Sequence, residues 1–505
     1  MANNSQNESY WMHTAKCRGL AGLEEDIETD VAVVGAGITG LTTALLLQEA
    51  GKQVVVIDMN RVGVGTTGHS TGHLDATTDQ LLQNVESSFG ADGARQVVEA
   101  KRAAVDLIER WNGRFNLDSE FTRVPAFFYT EDEDGEDRVE KEFEVSREAG
   151  LEVELVDGCG LPFGIRRAVR YADQARFSPW RYVCGLAGRF IEHGGRIFED
   201  TRAENIEETD RGGHVATNRC VLLAPAVVLA GHAPLLGLFT LEPRIHPFQS
   251  YVLGVRVLDE VPDGLYWDTD DPYHYTRIAS SGDPKLLIVG GADHRTGTRM
   301  DTHECFEELE RYVRDRYRVE AIEYRWSHEF FLPADGLPYI GQVPGMECIF
   351  QATAYAGDGL TYGTAAGMLM SDLILGRENP YAKLFSASRR QALVAAAQVG
   401  RGVLRISKHF VGDWFGSGDV ESVDDIPCGE GRLVTVDSEP MAVYRDDENN
   451  LHAMSPVCRH MKCIVHWNNA EKTWDCPCHG GRYDRYGNVI MGPPKRPLEA
   501  RVLTT

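Results

Sequence analysis

The sequence predicts an α/β body with an inserted α+β subdomain, followed by a small all-β unit at the C-terminal end. Three observations predict it. An apolar run, Val31-Ala-Val-Val34, passes through a glycine turn into a helical pattern over 41–50, and Val54-Val-Val-Ile57 follows as a second buried strand, which is a βαβ start. Residues 245–325 alternate as an antiparallel sheet does, for example Ser250-Tyr-Val-Leu-Gly-Val-Arg256. Four of the eleven cysteines crowd between Cys458 and Cys478, inside a β-rich terminal unit of about 80 residues.

At 505 residues the chain exceeds what one core holds, so two or three domains are expected. Further strands are expected at Arg196–Phe198, 226–230 and 349–351, with a helix over Pro179–Glu192 leading into them. The body is expected over 1–385, its α/β parts at about 28–85, 173–235 and 326–385. The inserted subdomain takes about 86–172, which is charged with helical spacing, and 236–325. Residues 386–425 read as a helical connector whose apolar positions (Leu393, Val394, Val399, Val403, Leu404, Ile406, Phe410) suit packing on the body. The terminal unit spans 426–505.

A net charge of −25 argues against a nucleic-acid partner, which needs surplus Lys and Arg. No run reaches the roughly 18 apolar residues of a membrane span. The polar start, without a basic and apolar leader, gives the expectation of a cytoplasmic protein. In that compartment clustered cysteines point to metal or redox chemistry, and the seven outside the cluster are expected mostly as small buried hydrophobes.

Gly35-Ala-Gly37-Ile-Thr-Gly40 lies between the first strand and helix, and Asp58 ends the next strand, 18 residues after Gly40. Gly35 makes the turn, Gly37 lets the backbone approach a pyrophosphate, Gly40 lets helix pack on strand, and Asp58 is placed to accept from a ribose diol. The helix N-terminus offers free N–H groups to the phosphates. Together these define a dinucleotide site.

Here the chain resembles the D-amino-acid-oxidase and glycine-oxidase-like superfamily of FAD enzymes over about residues 28–385. The resemblance rests further on Gly63-Val-Gly65-Thr66-Thr67, on Ala224-Pro-Ala-Val-Val-Leu-Ala-Gly231, and on Asp335-Gly-Leu-Pro-Tyr-Ile-Gly341 with Gly357-Asp-Gly359-Leu360-Thr361 and Ala365-Ala-Gly367. It implies an FAD-binding Rossmann-like domain with an inserted substrate subdomain, and cofactor contacts at Gly65, Thr66, Thr67, His69, Gly231, Gly341, Gly357, Gly359, Leu360 and Thr361. In the dimethylglycine-dehydrogenase-like branch a histidine at the offset of His69 carries the flavin covalently, with a tryptophan where this chain has Gly68. The alternative is that His69 and His73 line the cofactor. No second glycine fingerprint exists for a nicotinamide cofactor.

Cys458-Arg-His460-Met-Lys-Cys463 and Cys476-Pro-Cys478-His479-Gly-Gly481 give C-x-H, fifteen residues, then C-x-x-H. Zinc also takes two cysteines and two histidines, but zinc fingers group like with like, whereas each pair here holds one of each. The pattern resembles the Rieske family. That resemblance implies a [2Fe–2S] cluster with Cys458 and Cys476 on one iron, His460 and His479 on the other, and a disulfide between Cys463 and Cys478. Gly492-Pro-Pro494 resembles the proline loop that covers such clusters. Tyr483 matches a tyrosine that donates to a ligand sulfur, and Gly481 stands where high-potential members carry a serine. A potential below the top of the family's range of about −150 to +300 mV is expected.

Flavin takes a hydride at once and releases electrons singly, and a [2Fe–2S] centre carries one electron. The superfamily resemblance implies oxidation of a small amine or amino acid, with electrons leaving through the cluster to an external acceptor. Arg277 is the candidate for a substrate carboxylate, Tyr251 and His73 for the same cavity, and Trp326 is expected in the core. Two other readings stand beside this one: an electron-transfer flavoprotein or reductase serving a protein partner, and a redox sensor without an organic substrate.

Overall fold

The structure is a computed structural model that describes residues 7–236, 241–389, 418–436 and 439–503. Its central sheet has the strand order Tyr339–Gln342, Ile349–Thr353, Ala226–Leu229, Val31–Val34, Val54–Ile57, Arg196–Phe198. All pairs are parallel except that between Tyr339–Gln342 and Ile349–Thr353. Every residue of Val31–Val34, Val54–Ile57 and Ala226–Leu229 is buried. Burial on both faces is why these strands read as continuous apolar runs rather than alternating ones.

Helices Ile38–Glu49 and Gly359–Ile374 cross on this sheet. Their approach is set by small residues: a methyl group at Gly363 would stand 2.6 Å from Thr39 Oγ1, and one at Gly367 2.7 Å from Thr42 Cγ2 and 3.1 Å from Thr43 N. The long helix Leu82–Phe115 packs on Gly359–Ile374, and Gly90 (φ 76°) kinks it.

The second large sheet runs Val319–Pro333, Ile245–Val257, Asp283–Arg295, Tyr275–Ser280, Leu265–Asp268, Thr122–Thr130, Arg167–Arg176, His73–Leu74. Leu265–Asp268 pairs in parallel with Thr122–Thr130, which joins the two sequence-distant parts of the subdomain in one sheet. The charged spacing of 86–172 concealed those strands. Cys17 and Cys184, expected among the isolated buried thiols, instead form a disulfide, and Cys428 is exposed.

The terminal unit stacks a three-stranded sheet (Glu430–Val436, Glu439–Arg445, Leu451–Met454) and a four-stranded one (His466–Asn468, Thr473–Asp475, Arg482–Asp484, Val489–Met491). Residues 393–410 of the expected connector lie outside the described residues. Just before them Arg389 clamps Asp335 with bonds of 2.8 and 2.6 Å. The terminal unit docks on the body through other groups. The buried Glu471 accepts from Ser327 Oγ and Gln249 Nε2 on one oxygen, and from Asn7 Nδ2 (2.9 Å) and Arg482 (2.6 Å) on the other. Thr302 Oγ1 donates to Asn468 Oδ1 at 2.7 Å. Among the described residues, no helix is long and apolar enough to cross a membrane.

Gly367→Val should separate the two crossing helices and cost about 1–3 kcal/mol, the usual scale of overpacking. Thermal unfolding should show a lowered midpoint together with FAD loss, and an unchanged midpoint would contradict this packing.

Candidate functional site

A cleft opens over the carboxyl ends of the parallel strands, where open α/β sheets bind ligands. Gly35 has φ 112°, and a methyl group there would stand 2.5 Å from Ala230 O, so only glycine turns the chain at this point. Asp58 Oδ2 accepts from Ala36 N (2.7 Å) and Oδ1 from Asn60 N (2.8 Å). Burial, and then Glu199, raise its carboxyl above the ordinary value despite these donors. Glu199 itself accepts from Val62 N and Leu20 N. Thr67 Oγ1 meets Ile38 N at the helix start, 3.2 Å away.

Gly35, Gly37, Asp58, Gly65, Thr66, Thr67, Gly231, Gly357, Gly359 and Leu360 all line this cleft. Gly40 lies beneath it, where a methyl group would stand 1.9 Å from Gly35 O. Three expected contacts are elsewhere. His69 is absent from the lining, and its ring nitrogens bond Gly65 O (3.0 Å) and Asn7 O (2.9 Å). Both nitrogens face backbone carbonyls, to one of which the neutral ring donates, so the ring is turned to the backbone and away from the cleft. Gly341 lines a small separate pocket with Tyr339 and Gln351, and Thr361 turns its hydroxyl onto Asp358 O. The sequence reading missed Tyr355, His328 and Phe330, which long-range folding alone brings to the cleft.

A second cavity shares Ser70, His328, Phe330, Gly357 and Leu360 with the first, and extends to His73, Asp75, Asp79, Ser250, Trp267, Tyr273, Tyr275, Asp293 and Asp358. His73 Nδ1 pairs with Thr71 Oγ1 at 2.9 Å, while its buried Nε2 has no partner. Burial, and then Arg277, lower its pKa to about 3, so the ring is neutral. Lys101, fully buried, bonds Asp75 (3.0 Å) and Asp358 (2.6 Å). Burial opposes its charge, but the two carboxylates hold it protonated.

Arg277 and Tyr251 are not in this cavity. Arg277 is fully buried, donates to Thr71 O (2.7 Å) and Phe177 O (3.0 Å), and lies 4.9 Å over Trp11. It braces the loop that carries His73. Tyr251 points to the other face of its strand, bonding His294 Nε2 at 3.0 Å in a separate core, and the neighbouring Ser250 faces the cavity. Alternation along a strand made the choice between 250 and 251 decisive. Trp326 is core and donates to His69 O.

In the terminal unit, Cys458 and Cys476 are buried together at the tips of two loops. The His460 and His479 rings lie beside each other, 5.0 Å apart and at 88°. A hydrogen bond from Cys476, working against burial and aided by Tyr483, lowers the Cys458 thiol to about 7. Burial lowers His460 to about 4, with Lys495 adding to it, and His479 to about 3, with His460 adding to it. The contact with Cys458 raises Cys476 well above its ordinary value, while neutral imidazoles are the form in which histidine binds metal. The buried His460 Nδ1 has no partner, so the donor set fits a metal cluster. Tyr483 Oη donates to Cys458 Sγ at 3.3 Å, and Cys463 and Cys478 form a disulfide joining the loops. A methyl group at Gly481 would stand 2.7 Å from Pro494 Cδ, so a serine does not fit there without displacing the proline.

The two sites adjoin. Ile490 to Lys495, including the proline loop, form one wall of the flavin cleft. His479 is only 6% exposed. Next to it, a methyl group at Gly480 would stand 2.5 Å from Glu329 Oε1 and 2.8 Å from Pro247 Cβ. Burial raises the Glu329 carboxyl well above its ordinary value, outweighing Arg482.

Comparison with known proteins agrees with both sites. A family model of FAD-dependent oxidoreductases matches residues 30–373, and one of the Rieske [2Fe-2S] domain matches 417–501. The chain belongs to the FAD-dependent oxidoreductase family and carries a Rieske domain, so its cofactors are FAD and a [2Fe–2S] cluster. Among its relatives, the Bacillus subtilis (strain 168) protein YhfW, described as a Rieske 2Fe-2S iron-sulfur protein, is 33% identical over 97% of both chains. The Escherichia coli (strain K12) gamma-glutamylputrescine oxidoreductase is 27% identical over 70% of this chain and 85% of its own. The crystal structure of glycine oxidase from Geobacillus kaustophilus superposes with a TM-score of 0.63 at 20% identity, covering 72% of this chain and 99% of that one.

Tyr483→Phe removes one donor from a ligand sulfur and should lower the cluster potential by roughly 40 mV, the equivalent of about 1 kcal/mol for one electron. Redox titration followed by EPR measures this, and an unchanged potential would show that the 3.3 Å contact does not act on the cluster.

Proposed function

We propose that the protein oxidises the carbon–nitrogen bond of a small amine or amino acid and passes the electrons through its own cluster to an external acceptor. The observation that carries this reading is the polar side cavity opening on the flavin cleft, whose far wall is the proline loop of the cluster domain. A pure electron carrier has no use for such a cavity. The Escherichia coli relative, a gamma-glutamylputrescine oxidoreductase, supports the substrate class.

Bound FAD would supply acceptance of a hydride and release of electrons singly, and a [2Fe–2S] cluster held by Cys458, His460, Cys476 and His479 would supply one-electron transfer. The substrate carbon loses the hydride and its nitrogen a proton, leaving an imine that water hydrolyses. The chain's residues set the stage for this. Glycine turns and the Ile38–Glu49 helix start bind the dinucleotide. His328, Phe330 and Leu360 line the passage from cavity to cleft, and the 490–495 wall limits water. Glu471 and Thr302 hold the cluster domain in place.

Anaerobic mixing with a panel of amines and amino acids should bleach the flavin and produce the EPR signal of a reduced mixed His/Cys cluster. In Thr302→Lys, which wedges a charge into a position only 2% exposed, flavin bleaching should persist while cluster reduction slows by roughly tenfold or more, from the loss of buried hydrogen bonds. A flavin that no substrate bleaches would overturn the enzymatic reading. A cluster that stays oxidised while the flavin bleaches would overturn the electron route.

A further inference from the structure

The charge of the substrate cavity narrows the class of molecule it accepts. Its wall carries four aspartates, Asp75, Asp79, Asp293 and Asp358. The one cation among them is Lys101, which is fully buried and committed to Asp75 and Asp358. Among the described residues neither Asp79 nor Asp293 forms an ion pair with a lysine or arginine, although the Lys101 charge reaches Asp79; Asp79 accepts from Tyr273 Oη at 2.9 Å, and Asp293 is bonded by Ser250 and feels His274. The histidines of the wall, His73 and His328, are held neutral by burial. The arginine expected to meet a substrate carboxylate, Arg277, is turned into the backbone of Thr71 and Phe177.

Two observations independent of this charge count point to a ligand. Asp293 Oδ1 is a buried acceptor with no partner. Trp267, Tyr273 and Tyr275 present aromatic surface on the same wall, and such faces attract ammonium groups.

We infer that the cavity takes an amine bearing a second cationic group and no carboxylate beside the reacting nitrogen. Asp293 and Asp79 hold the far ammonium, and the reacting nitrogen, deprotonated, lies at the His328–Phe330 passage to the flavin. An α-amino carboxylate brings a negative charge to a wall with no free cation to receive it. Burial raises both Asp79 and Asp293, the latter to about 7, and a bound ammonium returns them to the charged form. This inference rests on the proposal that the cavity is the substrate site of an amine-oxidising flavoprotein.

The test is a titration of the oxidised, anaerobic holoenzyme with 1,4-diaminobutane, butylamine, glycine and N-methylglycine, read as perturbation and bleaching of the flavin spectrum. The diamine should bind more tightly than glycine or N-methylglycine by roughly tenfold or more, and Asp293→Asn should weaken the diamine by a similar factor. FAD content and the cluster EPR signal of that variant should match the wild type, which separates lost recognition from misfolding. Tighter binding of glycine or N-methylglycine, or a diamine affinity indifferent to Asp293→Asn, overturns the inference. If an amino acid binds tightly and bleaches the flavin, the substrate class is wrong while amine oxidation stands. If the diamine binds through Asp293 but neither it nor any other amine bleaches the flavin, the cavity's preference stands and the oxidative reading falls.

Discussion

At Gly480 the cluster domain meets the flavin body so closely that a methyl group would stand 2.5 Å from Glu329 Oε1, and the working arrangement of the whole chain depends on that contact. Gly480 follows His479 directly, so the same approach buries the imidazole against the body. It also brings Gly492 within van der Waals reach of Ala233 and Leu235, just beyond Gly231 in the flavin cleft. Met59, one residue after the cleft-lining Asp58, packs on the cluster domain's core. A domain tethered only by a linker would leave His479 in water and the cleft without its fourth wall.

Two kinds of chemistry meet across the shared residues Ser70, His328, Phe330, Gly357 and Leu360. On the cofactor side, glycines and backbone N–H groups predominate, which suits a large anionic dinucleotide. On the substrate side, buried carboxylates and aromatic rings predominate. The Lys101 pair with Asp75 and Asp358 ties the helix Leu82–Phe115 to the start of Gly359–Ile374. Breaking one partner of such a buried group leaves an uncompensated charge, which is strongly destabilising. Part of the cavity's acidity is therefore structural, and Asp79 and Asp293 are left for recognition.

The parts of the site legible in the sequence were those fixed by short-range geometry. The glycine turn with Asp58, and the two Cys/His loops, each keep their chemistry within a few dozen residues, where spacing alone is informative. The wall of the second cavity is built from residues between 70 and 360, contributed by strands and loops that only the tertiary fold brings together. Nothing in the spacing around Asp79 or Asp293 marks either as part of a site. Arg277 had the right chemistry on the right sheet, but its side chain turns to Thr71 O and Phe177 O. Tyr251 was displaced by one residue from the position that faces the cavity. His69 failed for a different reason: Asn7, from the N-terminal segment, takes its Nε2. The docking of the cluster domain was expected from the connector, yet the described contacts come from Glu471, Asn468 and Gly480, polar or small residues that no hydrophobic pattern marks.

The most direct measurement is a single-turnover, stopped-flow experiment in which the flavin is reduced anaerobically by substrate and the appearance of the reduced cluster is followed across a wide range of protein concentrations. Transfer inside one docked molecule predicts a first-order rate that does not change with concentration. A rate that rises in proportion to concentration would show that electrons reach the cluster only by collision between molecules, and would contradict the intramolecular route.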